Sequence, residues 1–113
     1  MTKIKTSELQ GAALDWAVAE AVGLSVTREL NGWHQVEEGS ICLGWVGVNY
    51  RPSTNWSQGG PLIERHEVEI EAGPWSACCG IKTMHGDTIL EAACRAIVAA
   101  KLGDEVDVPE ELA

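Results

Sequence analysis

The sequence predicts an α+β fold: an antiparallel sheet of about four to five strands with two helices packed on one face. Three observations predict it. Apolar residues recur at helical spacing in two segments only, one near each end of the chain. The region between them is β-branched and alternates with period two. Glycine, proline and asparagine punctuate that middle region at hairpin-like intervals. A helix, a run of strands and a second helix make a two-layer arrangement.

The first helix is expected over about residues 7–22. Ser7 and Gln10 have the spacing of a capping box, and Leu9, Ala13, Trp16, Ala17 and Ala21 form the apolar stripe. Gly23 ends it. Leu24, Val26 and Leu30 then share one strand face, and Asn31-Gly32 gives a strong short hairpin signal, with Trp33 to Val36 returning. Glu37 to Ser40 is a turn. Ile41 to Tyr50 is apolar, interrupted by Gly44 and Gly47, and is expected to be the central strand with a bulge.

Arg51 to Pro61 is expected to be a long polar loop. His66 to Glu71 alternates, with Val68 and Ile70 inward and Glu67, Glu69 and Glu71 outward. Gly73-Pro74 turns the chain into a strand over Trp75 to Ile81. Thr88 and Glu91 form a second capping box. Leu90, Ala93, Cys94, Ile97 and Ala100 make the stripe of the second helix, which Gly103 terminates. Glu91 and Arg95 face each other at i, i+4.

The chain of 113 residues argues for one core. The expected division is a single α+β domain over 1–103 and an acidic tail over 104–113, lying extended or loose on the surface. The net charge is −9. The tail holds Asp104, Glu105, Asp107, Glu110 and Glu111, and without these five the balance is 12 acids to 8 bases. Direct nucleic-acid binding is therefore not expected, since phosphate affinity needs clustered Lys and Arg. No stretch approaches the roughly 18 apolar residues of a membrane span, and no signal-type run opens the chain. A cytoplasmic protein with reduced thiols is expected.

No metal or cofactor is expected. Cys42, Cys78, Cys79 and Cys94 lack C-x-x-C spacing, and the adjacent Cys78 and Cys79 would point to opposite faces of a strand. His34, His66 and His85 form no pair at metal-ligand spacing. G-x-S-x-G, S-x-x-K and P-loop motifs are absent, so no catalytic residue is assigned. His85-Gly-Asp-Thr88 opens the second helix. Its N–H groups suit either an anion or simple capping by Asp87 or Thr88.

The run Ser53-Thr-Asn-Trp-Ser-Gln-Gly-Gly-Pro61 is the best candidate for a site. Ser53, Thr54, Asn55 and Gln58 offer donors and acceptors in sequence, and Gly59 and Gly60 allow close approach to the backbone. Five Trp and no Phe is an unusual aromatic usage, and Trp56 in mid-loop is costly to expose without a role. Tyr50 precedes the loop, Glu64 is the acid beside it, and Arg51 and Arg65 flank it as anion contacts. The competing role is an Ω-like loop pinned into the core by Trp56.

At this loop the chain resembles the NinX-like proteins of enterobacterial and related phages and prophages. The likeness includes Lys5 to Leu9, Gly11-Ala-Ala-Leu-Asp-Trp-Ala-Val18, Ser53 to Arg65 and Ala92 to Pro109. Asn55 stands where Asp is common in the family, and Cys94 where Met is common. Ser25 to Cys42 has no counterpart in the likeness. The resemblance implies a phage or prophage accessory protein acting in the bacterial host cell, without supplying a mechanism. It draws attention to Asp15 and Trp16, which belong to a shared motif and could reach a groove between the first helix and the loop.

The expected activity is binding rather than catalysis, with a hydrolase or transferase that uses Glu64 or Asp15 kept as a third alternative. A pocket of Trp16, Tyr50, Asn55, Trp56, Gln58 and Arg65 would hold a small polar or nucleotide-like ligand. The alternative is a factor that binds a host protein through its acidic surface. A homodimer is compatible with either.

Overall fold

The computed structural model describes residues 2–27, 40–42, 46, 48, 50–72, 74–110 and 112. The elements run β1 (Thr2–Lys5), a 3-10 turn (Thr6–Glu8), α1 (Gly11–Ala21), β2 (Ser25–Thr27), β3 (Ser40–Cys42), α2 (Trp56–Arg65), β4 (Glu69–Glu71), β5 (Ser76–Cys79), β6 (Lys82–His85), α3 (Ile89–Leu102) and β7 (Glu105–Val108). The α+β expectation holds, with three helices among the described residues in place of two.

Helix α3 forms where the sequence places it. The Thr88 hydroxyl accepts from Glu91 N at 3.1 Å, and Glu91 Oε1 reaches back to accept from Asp87 N at 3.0 Å. This is the reciprocal capping that the Thr-x-x-Glu spacing encodes. Helix α3 packs across β5 and β6 and against α1. The contact faces of α1 and α3 are rich in alanine, with Leu14, Val18, Ile97 and Val98 fully buried among Ala17, Ala92, Ala96 and Ala99. Removing Leu14 or Ile97 from water contributes about 2 kcal/mol each.

The sheet β4-β5-β6 is antiparallel, with Ile70 opposite Ala77 and Ala77 opposite Met84. Ala77 and Cys79 are buried, whereas Ser76 and Cys78 are half-buried, so the alternation that separates Cys78 from Cys79 is real. Glu69 and Glu71 face solvent.

Three expectations change. Helix α1 begins at Gly11, and neither Ser7 nor Gln10 makes a side-chain cap there. Tertiary contacts hold the lead-in instead: Thr6 Oγ1 donates to Gly103 O at 2.7 Å, and Arg95 Nε donates to Leu9 O at 2.8 Å. The segment expected as the central strand gives β3, which pairs in parallel with β2 in a separate two-stranded sheet. The hairpin at Asn31-Gly32 and its return over Trp33 to Val36 lie outside the described residues, as does His34.

The third change concerns the acidic end. Residues 105–108 are extended, as expected, and form β7, antiparallel to β1 with Val106 opposite Ile4. Val106 and Val108 are buried while Glu105 and Asp107 face out. Apolar alternation within the acidic run ties it to the core, so it is not loose.

Candidate functional site

The expected loop is largely a helix. Asn55 caps α2, its Oδ1 accepting from Ser57 N at 2.8 Å. Its two glycines and Pro61 oppose helix formation by propensity. Packing overrides that cost. A Cβ on Gly59 would run into Pro52 O and sit 2.7 Å from Leu90 Cδ2, so only glycine lets α2 approach this close to the preceding turn and to α3. Gly60 has no such constraint, its nearest neighbour being Trp56 Cε3 at 3.7 Å.

The turn before α2 is fastened from below. Asp15, only 2% exposed on α1, accepts at Oδ1 from Ser53 N at 2.9 Å. Burial raises the Asp15 pKa, an effect opposed by Ser53 and by the nearby Arg51 charge. The buried Ser53 hydroxyl lies beside the same carboxylate without a hydrogen bond of good geometry. Tyr50 and Cys94 complete this buried corner. Burial pushes both pKa values up, the Cys94 thiol to about 12, and the Asp15 charge adds to each. Arg51 N donates to Gln58 Oε1, which closes the turn onto α2.

The far side of the same turn opens to solvent as a groove of about 440 Å³. The N-terminal ends of the three described helices border it, through Gly11 of α1, Trp56 of α2 and Thr88-Ile89 of α3. Ser53, Thr54, Trp75, Asp87, Leu90 and Glu91 complete the lining. Trp56 is 55% exposed, so it does not pin the segment into the core.

The expected site residues thus divide into four groups. Ser53, Thr54 and Trp56 line the groove. Asp15, Tyr50, Arg51, Asn55, Gln58, Gly59 and Gly60 are behind it or build the turn and helix that shape it. Trp16 is 8% exposed within the hydrophobic core. Glu64 and Arg65 are exposed at the other end of α2, roughly 14 Å from Trp56 at 1.5 Å per helical residue. Trp16, Trp56 and Arg65 therefore do not share one pocket. Sequence reasoning left out Trp75, Ile89 and Leu90 as groove residues. Asp87, Thr88 and Glu91 were visible as a cap, and nothing in the spacing linked that cap to Trp56.

The described groove lining carries two carboxylates, Asp87 and Glu91, and neither Lys nor Arg. The Glu91 carboxylate is engaged with Asp87 N and with Arg95 Nη1, the latter at 3.2 Å. The Asp87 side chain is exposed. Among the described residues, no group of His, Cys, Asp and Glu is arranged to hold a metal ion, and no helix is long and apolar enough to cross a membrane.

No curated protein matches the chain. Residues 5–101 match the family described as Bacteriophage P22, NinX. That span takes in the Asp15 corner, the whole of α2 and the groove lining from Gly11 to Glu91, and the chain therefore belongs to the NinX family of phage accessory proteins.

Proposed function

We propose that this accessory protein is a non-enzymatic binding module, and that the groove beside Trp56 receives a small polar or nucleotide-like ligand. The observation that carries the reading is the exposure of Trp56 on a shaped surface. A buried Trp removes 150–250 Å² from water, so leaving it half exposed forgoes roughly 2 kcal/mol of stabilisation. The fold spends further effort to hold it there: a glycine contact under α2, a buried carboxylate under the turn, and an Asn cap directly before Trp56. A second tryptophan, Trp75, lines the same groove.

The test is a melting-temperature screen of full-length protein against nucleosides, nucleotides, amino acids and polyamines, paired with native mass spectrometry of protein purified from its host. A ligand whose effect disappears in Trp56→Ala supports the reading. A panel without a shift, together with ligand-free mass spectra, rejects it.

The second reading is capture of a host protein by the acidic surface. Its support is the exposure of Glu69 and Glu71 on the outer sheet face and of Glu105 and Asp107 on β7. Because β7 is part of the packed structure, the test uses Glu69→Lys with Glu71→Lys rather than a tail deletion. A host partner retained by the wild type and released by the double variant would favour it.

A further inference from the structure

We infer that the groove selects a neutral, planar nitrogen heterocycle bearing an exocyclic amino group, of the nucleobase class, with Asp87 as its hydrogen-bond acceptor. This rests on the binding-module reading above and narrows it to one ligand chemistry.

The charge pattern of the described lining disfavours the alternatives. Side-chain recognition of phosphate relies on Arg or Lys, and among the described residues neither type lines the groove, while the Asp87 and Glu91 N–H groups at the start of α3 already donate to Glu91 Oε1 and Thr88 Oγ1. Arg51 and Arg65 lie outside it, and the chain as a whole carries −9. A cationic ligand needs a net negative wall. Glu91 is neutralised by Arg95, which leaves Asp87 as the unspent acid. The helix N-termini bordering the groove each present about half a positive charge, enough together to offset one carboxylate. Neither full charge on a ligand is therefore favoured.

The remaining chemistry fits a flat neutral ring. Trp56 and Trp75 offer aromatic surface, on which a flat base stacks whatever its hydrogen-bonding pattern. Asp87 is acceptor-only when ionised and can take an amino N–H. Thr88 Oγ1 already accepts from Glu91 N, so its own O–H is left to donate, for example to a ring nitrogen. An acceptor and a donor on consecutive residues match the amino group and adjacent ring nitrogen of adenine or cytosine.

The experiment titrates the tryptophan fluorescence of full-length protein with adenosine, purine riboside, AMP and arginine methyl ester. Purine riboside differs from adenosine only by lacking the amino group. The expected result is quenching by adenosine, at least about tenfold weaker binding of purine riboside, no gain from the phosphate of AMP, and no response to the cation. Asp87→Ala, at an exposed side chain, should bring adenosine down to the level of purine riboside with the melting temperature unchanged. Equal binding of adenosine and purine riboside, or an Asp87→Ala variant with full discrimination, overturns the inference and leaves the binding-module reading standing. Preference for AMP or for the cation does the same. If none of the four binds while the wider screen finds a Trp56-dependent ligand, the inference alone falls. If that screen is also empty, both fall.

Discussion

Asp15 Oδ1 accepts a hydrogen bond from the backbone N–H of Ser53 at 2.9 Å, across 38 residues of sequence, in a corner where Asp15 is 2% exposed. One buried carboxylate thereby fixes the turn from which α2 and Trp56 project. Asp15→Ala leaves the Ser53 N–H buried without that partner, and a loss of about 2 kcal/mol in urea unfolding is expected. Asp15→Asn keeps an acceptor in place and should lose much less.

The same residue predicts a pH dependence. Burial raises the folded-state pKa of Asp15 above its ordinary 3.8. The folded protein then holds the Asp15 proton more tightly than the unfolded chain, so ionisation costs stability as pH rises through that window. Below 3.8 both states are protonated and the effect vanishes. The stability of Asp15→Asn relative to wild type should increase as pH rises from below 3.8 to above the raised value, then level off. Urea melts of both proteins over a pH series check this. A difference that shrinks with rising pH contradicts it.

Two helices end with the same backbone motif on different residues. At the end of α1, Gly23 N donates to Glu20 O and Leu24 N to Ala19 O, with Gly23 at φ +87°. At the end of α2, Glu67 N donates to Glu64 O and Val68 N to Ile63 O, with Glu67 at φ +52°. Both are Schellman closures, and glycine carries no Cβ penalty at the left-handed position. Glu67→Gly should therefore stabilise the protein by roughly 1 kcal/mol, measured as a raised urea midpoint. The matching change Gly23→Glu should lower it.

The paired glycines of α2 should respond oppositely to alanine. Gly59→Ala forces a Cβ against Pro52 O and Leu90 Cδ2, and a loss of about 2–3 kcal/mol is expected. Gly60→Ala meets only an ordinary contact with Trp56, and better helix propensity should add roughly 0.5–1 kcal/mol. Thermal melts of the two variants decide the point, and similar effects at both positions would refute the close packing of α2 on α3.

Arg95 does more than its i, i+4 position on α3 suggests. Besides its pairing with Glu91, Nε donates to Leu9 O and Nη1 donates to His85 O at 2.9 Å. It fastens the lead-in of α1 and the end of β6 to α3. A surface pair at this spacing contributes only a few tenths of a kcal/mol. With two backbone carbonyls depending on the charge, Arg95→Ala should cost about 3 kcal/mol. Arg95→Lys should recover only part of it, because one ammonium cannot reproduce the planar fork.

How much of this was legible in the sequence depended on whether local signals agreed. Thr88, Glu91 and Gly103 all point to one helix, and α3 lies between them. Glu69, Ile70 and Glu71 alternate as a strand should and form β4, whereas His66 and Glu67, expected in the same strand, close the end of α2 instead. Around Trp56 the local signals conflicted. Asn55 is a good N-cap residue, but Gly59, Gly60 and Pro61 argue for a loop. The decisive term was a non-local approach to Pro52 and Leu90, which no local pattern contains. Ser7 and Gln10 show the opposite failure, since a sound capping pattern is overruled by Arg95 drawing Leu9 into place. In the same way, Ser53, Thr54 and Trp56 were visible as a polar run and Asp87 and Thr88 as a cap, while their shared groove exists only through the packing of α2 on α3.

The central claim is that the surface shared by Trp56 and Trp75 is the binding surface. The most direct measurement is the indole N–H region of a ¹H–¹⁵N spectrum, where each tryptophan gives its own resonance, recorded while adenosine is added to full-length protein. The Trp56 and Trp75 resonances, assigned by single substitution, should move together and saturably, while that of the core residue Trp16 stays in place. Saturable movement of Trp16 with Trp56 and Trp75 unchanged would contradict it.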